Sequence, residues 1–511
     1  MLAQIKSSVL TGITAHPILV EVDVAHGLPG FHIVGLPEGA VKESRERVRS
    51  AIKNSGYEFP TKRITVNLAP ADIKKEGAGL DLPIAIAILC CTGLLQEERL
   101  KGTIFLGELS LDGSLRKTRG VLPIALGARE WGVEEIVVPL ENGSEGAIVE
   151  GLWVRGAQHL AEIVRHFRGE AEIEPQIVNL DELFTKKGRY PYDFSEVIGQ
   201  DHAKRALEIA AAGGHNCLLS GPPGSGKTML AKRVPTILPK MTLDEALETT
   251  SIHSVAGILP SDVPLITERP FCSPHHTISD AGLVGGGQNP RPGQVSLAHN
   301  GVLFLDELPE FRKNVLEALR QPMEDGVVTI SRVQSSVVYP ARFTLVAAQN
   351  LCPCGRLGDP RGGCLCTQAQ ILKYQSKASG PLLDRIDLHI EVPQVPFEDL
   401  KESGQTETSE KMRERVEAAR SIQQRRFRGT NIFSNSRMGP REIEEFCNLN
   451  NDDMTFLETA VSKLGLSARA YHKILKVART IADLDDSNDI KRSHLGEAMQ
   501  YRSYGDTRFW Q

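Results

Sequence analysis

The stretch that decides the fold is Gly221-Pro222-Pro223-Gly224-Ser225-Gly226-Lys227-Thr228. It fits the pattern G-x-x-x-x-G-K-[ST], in which glycines allow backbone N–H groups to face phosphate oxygens. The apolar residues 217–219 before it predict a buried strand, and the residues after it predict a helix whose N-terminus favours anions. In this setting Lys227 would reach the β- and γ-phosphates of a nucleotide and Thr228 would hold Mg²⁺. The alternative is an accidental glycine-rich turn.

A second apolar run, GVLFL at residues 301–305, ends in Asp306 and Glu307. Ligands of parallel α/β sheets bind beyond the carboxyl ends of the strands, where these two acids would stand. Asp306 would complete the Mg²⁺ shell and Glu307 would polarise an attacking water. Two acids after a strand are a weak signal alone, but combined with Lys227 they predict a nucleotide-hydrolysing core.

Composition sets the limits around this core. A chain of 511 residues with 41% hydrophobic and 24% charged residues contains more than one domain and is neither largely disordered nor fibrous. The net charge of -5 leaves no global basic excess, so any nucleic-acid contact must be a local patch. The longest apolar run, at residues 82–95, is too short to span a bilayer, and no secretory signal is visible. We therefore expect a soluble cytoplasmic protein without a membrane partner.

Hydrophobic periodicity predicts an α/β fold in several domains. Residues 1–166 alternate strand and helix patterns, and the polar residues 167–192 predict a linker. Residues 193–400 form the α/β block that contains the phosphate loop. Residues 401–511 show helical patterns alone, which predicts a helical lid and C-terminal domain.

Four segments resemble those of AAA+ ATPases. The string DFSEVIGQ, with Val197 and Ile198, resembles the adenine-side segment, and TLVAAQN resembles the strand that ends in the sensor-1 residue, here Asn350. The string LLDRID resembles the arginine-finger segment, with Arg385, and LSARA resembles the start of the sensor-2 helix, with Arg469. For Arg385 the alternative is an ion pair within the chain to a neighbouring aspartate, Asp384 or Asp387, and for Arg469 an ordinary surface position.

A more specific resemblance lies between these segments. It is carried by RPF (269–271), PHHT (274–277), GGG (285–287), PG (292–293) and LAH (297–299). These strings resemble the magnesium-chelatase-like branch and, within it, the YifB/ComM family of bacterial proteins, over essentially the whole chain. The resemblance implies ATP and Mg²⁺ as cofactors and a ring, most simply a homo-hexamer, in which Arg385 acts in trans on the neighbour's ATP.

The family resemblance also implies DNA, single-stranded or branched, as a partner. ComM-like proteins are associated with DNA branch migration during natural transformation, so the implied activity is a branch migration helicase that aids integration of incoming DNA. The alternative is a chaperone or chelatase-like remodeller that uses the same ATPase cycle on a protein partner.

The N-terminal residues resemble a Lon protease-like domain, through KKEGAGLD (74–81) and GEL (107–109). A Lon-type protease needs a serine nucleophile and a lysine base in proximity. Gly79 stands where the serine would fall, so we predict a non-proteolytic domain. Lys74 and Lys75 could touch a phosphate, although a solvated face is the simpler interpretation.

Candidate DNA contacts come from two places. Residues 411–428 carry seven basic side chains, of which Arg425, Arg426 and Arg428 are candidates for phosphate contacts. A solvated helix explains the same pattern. Strand patterns at 327–330 and 336–339 predict a hairpin, with Arg332 at its tip, facing either a central channel or the outer surface. The segments 254–258 and 285–287 are predicted to be flexible loops that could face a pore.

The cysteines divide into two groups. Cys352, Cys354, Cys364 and Cys366 form two C-x-C pairs separated by a glycine-rich loop, and four thiolates suit a structural Zn²⁺ ion. Free thiols or a redox disulfide are the alternatives, although a reducing compartment disfavours the disulfide. The other five cysteines are predicted to be ordinary packing residues. The pair of histidines at 275–276 is a weaker metal candidate than a hydrogen-bonded loop pair.

Overall fold

The computed structural model describes residues 1–75, 77–185, 190–287, 289–332, 335–358, 362–395, 406–430 and 432–503. They group into two compact units, each with a hydrophobic cluster of its own. The units comprise, respectively, the described residues within Met1–Lys187, Leu243–Thr267 and Val333–Tyr339, and those within Gly188–Thr242, Glu268–Arg332 and Pro340–Gln511.

The first unit contains a mixed sheet. Its strands are β1 (Leu2–Thr11), β2 (Thr14–Ala25), β3 (Gly30–Val34), β4 (Arg63–Ala69), β5 (Thr103–Phe105), β6 (Glu108–Leu109), β7 (Leu115–Arg116), β8 (Glu135–Pro139) and β9 (Trp153–Ala157). The spatial order is β3–β4–β2–β1–β5–β8–β9, with β6 and β7 paired separately. Alternate residues of β4, namely Ile64, Val66 and Leu68, are buried, so one face of the sheet packs on a core.

The helices of residues 1–185 are α1 (Gly39–Asn54), α2 (Asp81–Cys91), α3 (Val121–Glu130), α4 (Leu140–Gly146), α5 (Leu160–Arg168) and α6 (Leu180–Thr185). Every residue of α2 is buried, so most of the apolar run at 82–95 lies in the core. Asp81 in α2 is buried as a paired charge, since Arg47 Nε lies 2.6 Å from its Oδ2. Helix α6 falls inside the segment expected to be a linker.

The second unit is organised by a parallel sheet. Strands from residue 190 onward are β10 (Cys217–Ser220), β11 (Phe271–Cys272), β12 (Gly285–Gly286), β13 (Arg291–Pro292), β14 (Val302–Leu305), β15 (Val327–Arg332), β16 (Ser335–Pro340), β17 (Thr344–Gln349) and β18 (Leu388–Glu391). The sheet order is β11–β14–β17–β10–β18, and each neighbouring pair is parallel. The strands predicted before the phosphate loop, before Asp306 and before Asn350 are therefore confirmed. Their carboxyl ends share one edge of the sheet.

Helices from residue 190 onward are α7 (Asp201–Gly213), α8 (Lys227–Ile237), α9 (Leu243–Ala256), α10 (Asp280–Val284), α11 (Gln294–Leu297), α12 (Lys313–Ala318), α13 (Arg320–Asp325), α14 (Gln368–Gln375), α15 (Gly380–Leu383), α16 (Ser409–Arg426), α17 (Pro440–Phe446), α18 (Asn451–Leu464), α19 (Ala468–Leu484) and α20 (Arg492–Ser503). From Ser409 onward the regular elements are helical, as the sequence predicts. Ser467 caps α19, because its Oγ accepts a hydrogen bond from the Ala470 N–H at 3.3 Å.

One segment predicted to be a flexible loop is instead helical over its first three residues. Residues 254–256 end helix α9, and Ser254 is buried and donates a hydrogen bond to the Glu145 carboxylate. The same carboxylate accepts the Leu122 N–H at 2.9 Å. The expectation of a flexible loop is therefore corrected for 254–256, which a buried hydrogen bond orders as the end of a helix, whereas Gly257 and Ile258 follow the helix and are exposed. In the 285–287 segment, Gly285 and Gly286 form β12, which pairs antiparallel with β13, and Gly287 follows in a turn.

Candidate functional site

The phosphate loop joins β10 to α8 at the carboxyl edge of the parallel sheet. Gly224 and Gly226 adopt positive φ angles of 77° and 92°, which glycine adopts at little cost. A Cβ at Gly221 would lie 2.1 Å from the carbonyl oxygen of Val392, so this position also requires glycine. Two separate constraints, backbone conformation and close approach, thus account for the glycines of the motif.

Lys227 is buried at the first turn of α8. Its Nζ donates to the carbonyl oxygens of Gly221 and Pro222, both at 2.8 Å, and to Asn350 Oδ1 at 3.3 Å. Burial lowers the pKa of the Lys227 ammonium, while the carboxylates of Asp306 and Glu307 oppose that shift. The lysine and the residue after β17 that resembles sensor 1 are thus in direct contact, although they lie 123 positions apart.

Thr228 and Asp306 are also in contact. The hydroxyl of Thr228 donates to Asp306 Oδ2 at 2.7 Å, so the two side chains expected to hold Mg²⁺ converge on one point. A hydroxyl and a carboxylate are oxygen donors of the kind that Mg²⁺ prefers, so this pair fits the ion. Glu307 follows with a φ of 53°, an uncommon backbone conformation for a non-glycine residue, and its side chain is 55% exposed.

The sequence did not indicate that His276 lies beside Glu307. Its Nδ1 lies 3.6 Å from Glu307 Oε2, and its ring contacts that of His275 with 4.1 Å between centroids. His275 Nδ1 lies 3.0 Å from the hydroxyl of Thr277, in agreement with the hydrogen-bonded loop interpretation. The sequence signal for the His276 contact was present only as the PHHT string, without any indication of what it faces.

The segment that resembles the adenine side lies next to the phosphate loop. Val197 is buried and Ile198 is partly buried. Lys204 Nζ donates to the Val197 carbonyl oxygen at 2.6 Å. Gln200 connects this segment to the loop, since its Nε2 donates to the Ser225 carbonyl oxygen at 3.4 Å.

Arg385 is held by an acid that the sequence did not indicate. Its guanidinium lies 2.5 Å from Glu324 Oε1, and the side chain is only 11% exposed. Neither Asp384 nor Asp387 is that partner. Arg469 lies on the first turn of α19 and is exposed.

Asp387 instead anchors the turn after Arg385 to α19. Lys473 Nζ lies 2.8 Å from Asp387 Oδ1, and the ring of His215 lies 3.2 Å from Oδ2. Burial alone would raise the pKa of Asp387, but Lys473 and His215 hold it well below its usual range. No local pattern in the sequence indicates this buried group, because its members come from three distant segments.

The basic segment at 411–428 forms most of α16, and the structure uses several of its charges internally. Arg426 is bidentate to the fully buried Asp483, with nitrogen–oxygen distances of 2.5 and 2.8 Å. Arg415 binds Glu208 at 2.5 Å. The candidate role of Arg426 as a DNA contact is therefore corrected to a structural ion pair, whereas Arg425 and Arg428 are exposed.

The predicted hairpin strands correspond to β15 and β16. Arg332 ends β15, but its side chain and the tip at 333–334 lie outside the described residues. In the first unit, Lys75 is fully buried and its Nζ donates to the Pro70 carbonyl oxygen. Lys75 is thus neither on a solvated face nor placed to touch a phosphate, and Lys74 pairs with Glu38.

The four clustered cysteines converge. Their sulfur atoms all lie within 4.8 Å of one another, and three of the separations are 3.4 Å (Cys352–Cys354), 3.7 Å (Cys352–Cys364) and 3.7 Å (Cys354–Cys364). A hydrogen bond from the Arg356 N–H lowers the pKa of Cys354 to about 6, with help from the neighbouring thiols. Burial instead raises the pKa of Cys217 and Cys447 to about 12, as expected for packing residues.

Three family descriptions match consecutive parts of the chain. "Magnesium chelatase, subunit ChlI" matches residues 193–400, "Subunit ChlI of Mg-chelatase" matches residues 20–142, and "Magnesium chelatase, subunit ChlI C-terminal" matches residues 406–502. The parallel sheet with its phosphate loop agrees with these matches. Together they define the class as a magnesium-chelatase-like AAA+ protein.

Full-length relatives narrow the class. The chain is 46% identical to the competence protein ComM of Haemophilus influenzae, over 98% of this chain and 97% of that protein. It is 46% identical to the protein YifB of Escherichia coli, over 96% of this chain and 95% of that protein. The chain therefore belongs to the magnesium-chelatase-like family that includes the ComM and YifB proteins. In the described part of the chain, no helix combines the length and apolar character needed to cross a membrane.

Proposed function

We propose that this protein is an ATP-hydrolysing ring motor that acts on DNA. The observation that carries the proposal is the convergence of Lys227 with Asn350 and of Thr228 with Asp306 at one edge of the parallel sheet. Lys227 would bind the β- and γ-phosphates, Thr228 and Asp306 would hold Mg²⁺, and Glu307 would orient the attacking water. When bound, the Mg²⁺ ion would neutralise charge on the phosphate oxygens.

The ring is proposed from Arg385. An arginine that stabilises charge on the γ-phosphoryl group of a neighbour requires a closed head-to-tail assembly, and a homo-hexamer is the assembly we expect. Arg385 would have to exchange Glu324 for the neighbour's nucleotide, so assembly and hydrolysis would be linked. Arg469, exposed at the start of α19, would act on the nucleotide from the helical lid.

The DNA substrate is proposed from the relative named as a competence protein. We propose branch migration that aids integration of incoming DNA during natural transformation, with single-stranded or branched DNA as the partner. A remodeller of a protein partner is the alternative. The N-terminal domain would be Lon protease-like and non-proteolytic, and the protein would work in the cytoplasm.

The deciding experiment is the rate of ATP hydrolysis with single-stranded, duplex and branched DNA, together with the mass of the assembly with and without nucleotide. The proposal expects a hexamer and a rate that rises with branched or single-stranded DNA. A rate that no DNA form changes, in a protein that hydrolyses ATP, would favour the protein remodeller.

A structural Zn²⁺ ion on the four cysteines is the remaining part of the proposal. Four sulfurs at about 2.3 Å from a tetrahedral zinc lie about 3.8 Å apart, close to the 3.4 and 3.7 Å separations of the cluster. Metal analysis of the purified protein should give about one zinc per chain, which Cys352→Ser should remove. Protein without zinc, even after reconstitution, would refute this part.

A further inference from the structure

The turn that carries Cys352 and Cys354 packs against the phosphate loop. Gly355 closes this turn, because its N–H donates to the Cys352 carbonyl oxygen at 3.0 Å. A Cβ on Gly355 would lie 2.6 and 2.8 Å from two ring carbons of Pro223, in the middle of the phosphate loop. The backbone of the cysteine turn and the proline ring are therefore in contact, with room for a glycine alone.

The segment that carries the cysteine turn contacts the proposed nucleotide site at a second point, Asn350. Asn350, two residues before Cys352, accepts the hydrogen bond from Lys227. Leu351 between them is fixed to α14, since its carbonyl oxygen accepts from Gln375 Nε2 at 3.0 Å. Residues 350–355 thus touch the phosphate loop at both ends and carry two of the four thiols in between.

We propose that a Zn²⁺ ion on the four thiols sets the affinity of the phosphate loop for ATP. The ion would tie the turn at 352–355 to Cys364 and Cys366, and so hold Asn350 and Gly355 where Lys227 and Pro223 meet them. This inference rests on the proposed nucleotide and zinc sites. Because the coupling is a free energy between two binding events, ATP must tighten zinc binding by the same factor that zinc tightens ATP binding.

The first test measures ATP affinity in the full-length protein, zinc-loaded and after removal of zinc by a chelator. Couplings between sites are typically about 5- to 150-fold, and we expect ATP to bind roughly 5- to 20-fold more weakly after zinc is removed. Added zinc should restore the affinity. In the reciprocal measurement, a non-hydrolysable ATP analogue should strengthen zinc retention against a competing chelator by the same factor.

Substitutions separate the effect of the Gly355–Pro223 contact from the effect of zinc binding. Gly355→Ala keeps all four thiols and should retain zinc, but should weaken ATP binding roughly 5- to 20-fold through its contact with Pro223. Gly362→Ala is the matched control, because Gly362 has a comparable φ of 73° with nothing within 4 Å of an added Cβ. It should leave ATP affinity unchanged. Pro223→Ala removes the contact without a clash, and its ATP affinity should respond less to zinc.

The outcomes are distinguishable. Equal ATP affinity with and without zinc, in a protein that binds both, would overturn this inference and leave the two proposed sites intact. A protein that retains no zinc would overturn the zinc site and this inference together. Zinc-loaded protein that binds no ATP would overturn the proposed nucleotide site, and the inference with it.

Discussion

The phosphate loop and helix α16 both carry basic side chains that the sequence assigned to phosphate binding, and the structure uses them differently. Lys227 lies where Asn350 and the acidic strand end converge. Arg426 of α16 instead neutralises the buried Asp483. A motif that fixes the backbone also fixes where its cation lies, whereas a run of charges on a helix leaves each side chain free to find an internal partner.

On the phosphate-loop side of this comparison, the largest effect is expected on ATP turnover, from a change at Glu307. Glu307→Gln should slow ATP turnover about 10²-fold or more with little change in ATP affinity, because the exposed carboxylate is proposed to act on the attacking water rather than on binding. Turnover and nucleotide affinity measured side by side check this. Glu310→Gln, three residues on at an exposed position, is the control. Similar losses in both variants would contradict the role of Glu307.

On helix α16 the expected effect is on stability. Arg426→Ala should lower the free energy of unfolding by about 3 kcal/mol, because it removes a bidentate partner from a buried carboxylate. Arg425→Ala, at the adjacent exposed position, should change it by less than about 0.5 kcal/mol. Denaturant unfolding of the two variants measures the difference. Equal values would mean that the internal ion pair does not distinguish these arginines.

The sheet under the phosphate loop gives a pH-dependent prediction. Burial, together with the nearby Arg502 and Lys473, lowers the pKa of His389 in β18 to about 3. As the pH falls, His389 is therefore protonated in the unfolded chain before it is protonated in the folded protein. Its contribution to the free energy of unfolding is fully present above about pH 6.5 and is lost as the pH drops toward 3. We compare the drop in the free energy of unfolding between pH 8 and pH 5 in the two proteins. This drop should be about 2 kcal/mol smaller in His389→Leu than in the wild type. Parallel pH profiles would contradict this assignment.

The smallest effect concerns the exposed arginines of the basic segment. If Arg425 and Arg428 contact DNA phosphates, replacing both with alanine should reduce the salt dependence of DNA affinity by about two counterions. Binding measured over a series of salt concentrations gives this slope. An unchanged slope would mean that Arg425 and Arg428 do not contact DNA phosphates. The basic segment would then differ from the phosphate loop in binding no phosphate.

The sequence predicted what short segments determine by themselves. The phosphate loop, its flanking strand and helix, and the strands before Asp306 and Asn350 follow from local patterns, and the parallel sheet brings them to one edge. The partner of Arg385 and the buried group around Asp387 did not follow. They join positions such as His215 and Asp387, which lie 172 residues apart, so that packing rather than local pattern determines them. Helix α9 is a similar case, because a buried contact with Glu145 orders residues that resemble a loop.

ATP hydrolysis by the purified full-length protein in Mg²⁺ tests the central claim most directly, with Lys227→Ala compared to Lys232→Ala. Both lysines lie on α8, but Lys227 is buried in the phosphate loop and Lys232 is exposed. The account predicts Mg²⁺-dependent hydrolysis in the wild type and in Lys232→Ala, with loss of at least about 10²-fold in Lys227→Ala. Hydrolysis that survives in Lys227→Ala at the wild-type rate would contradict the assignment of the nucleotide site.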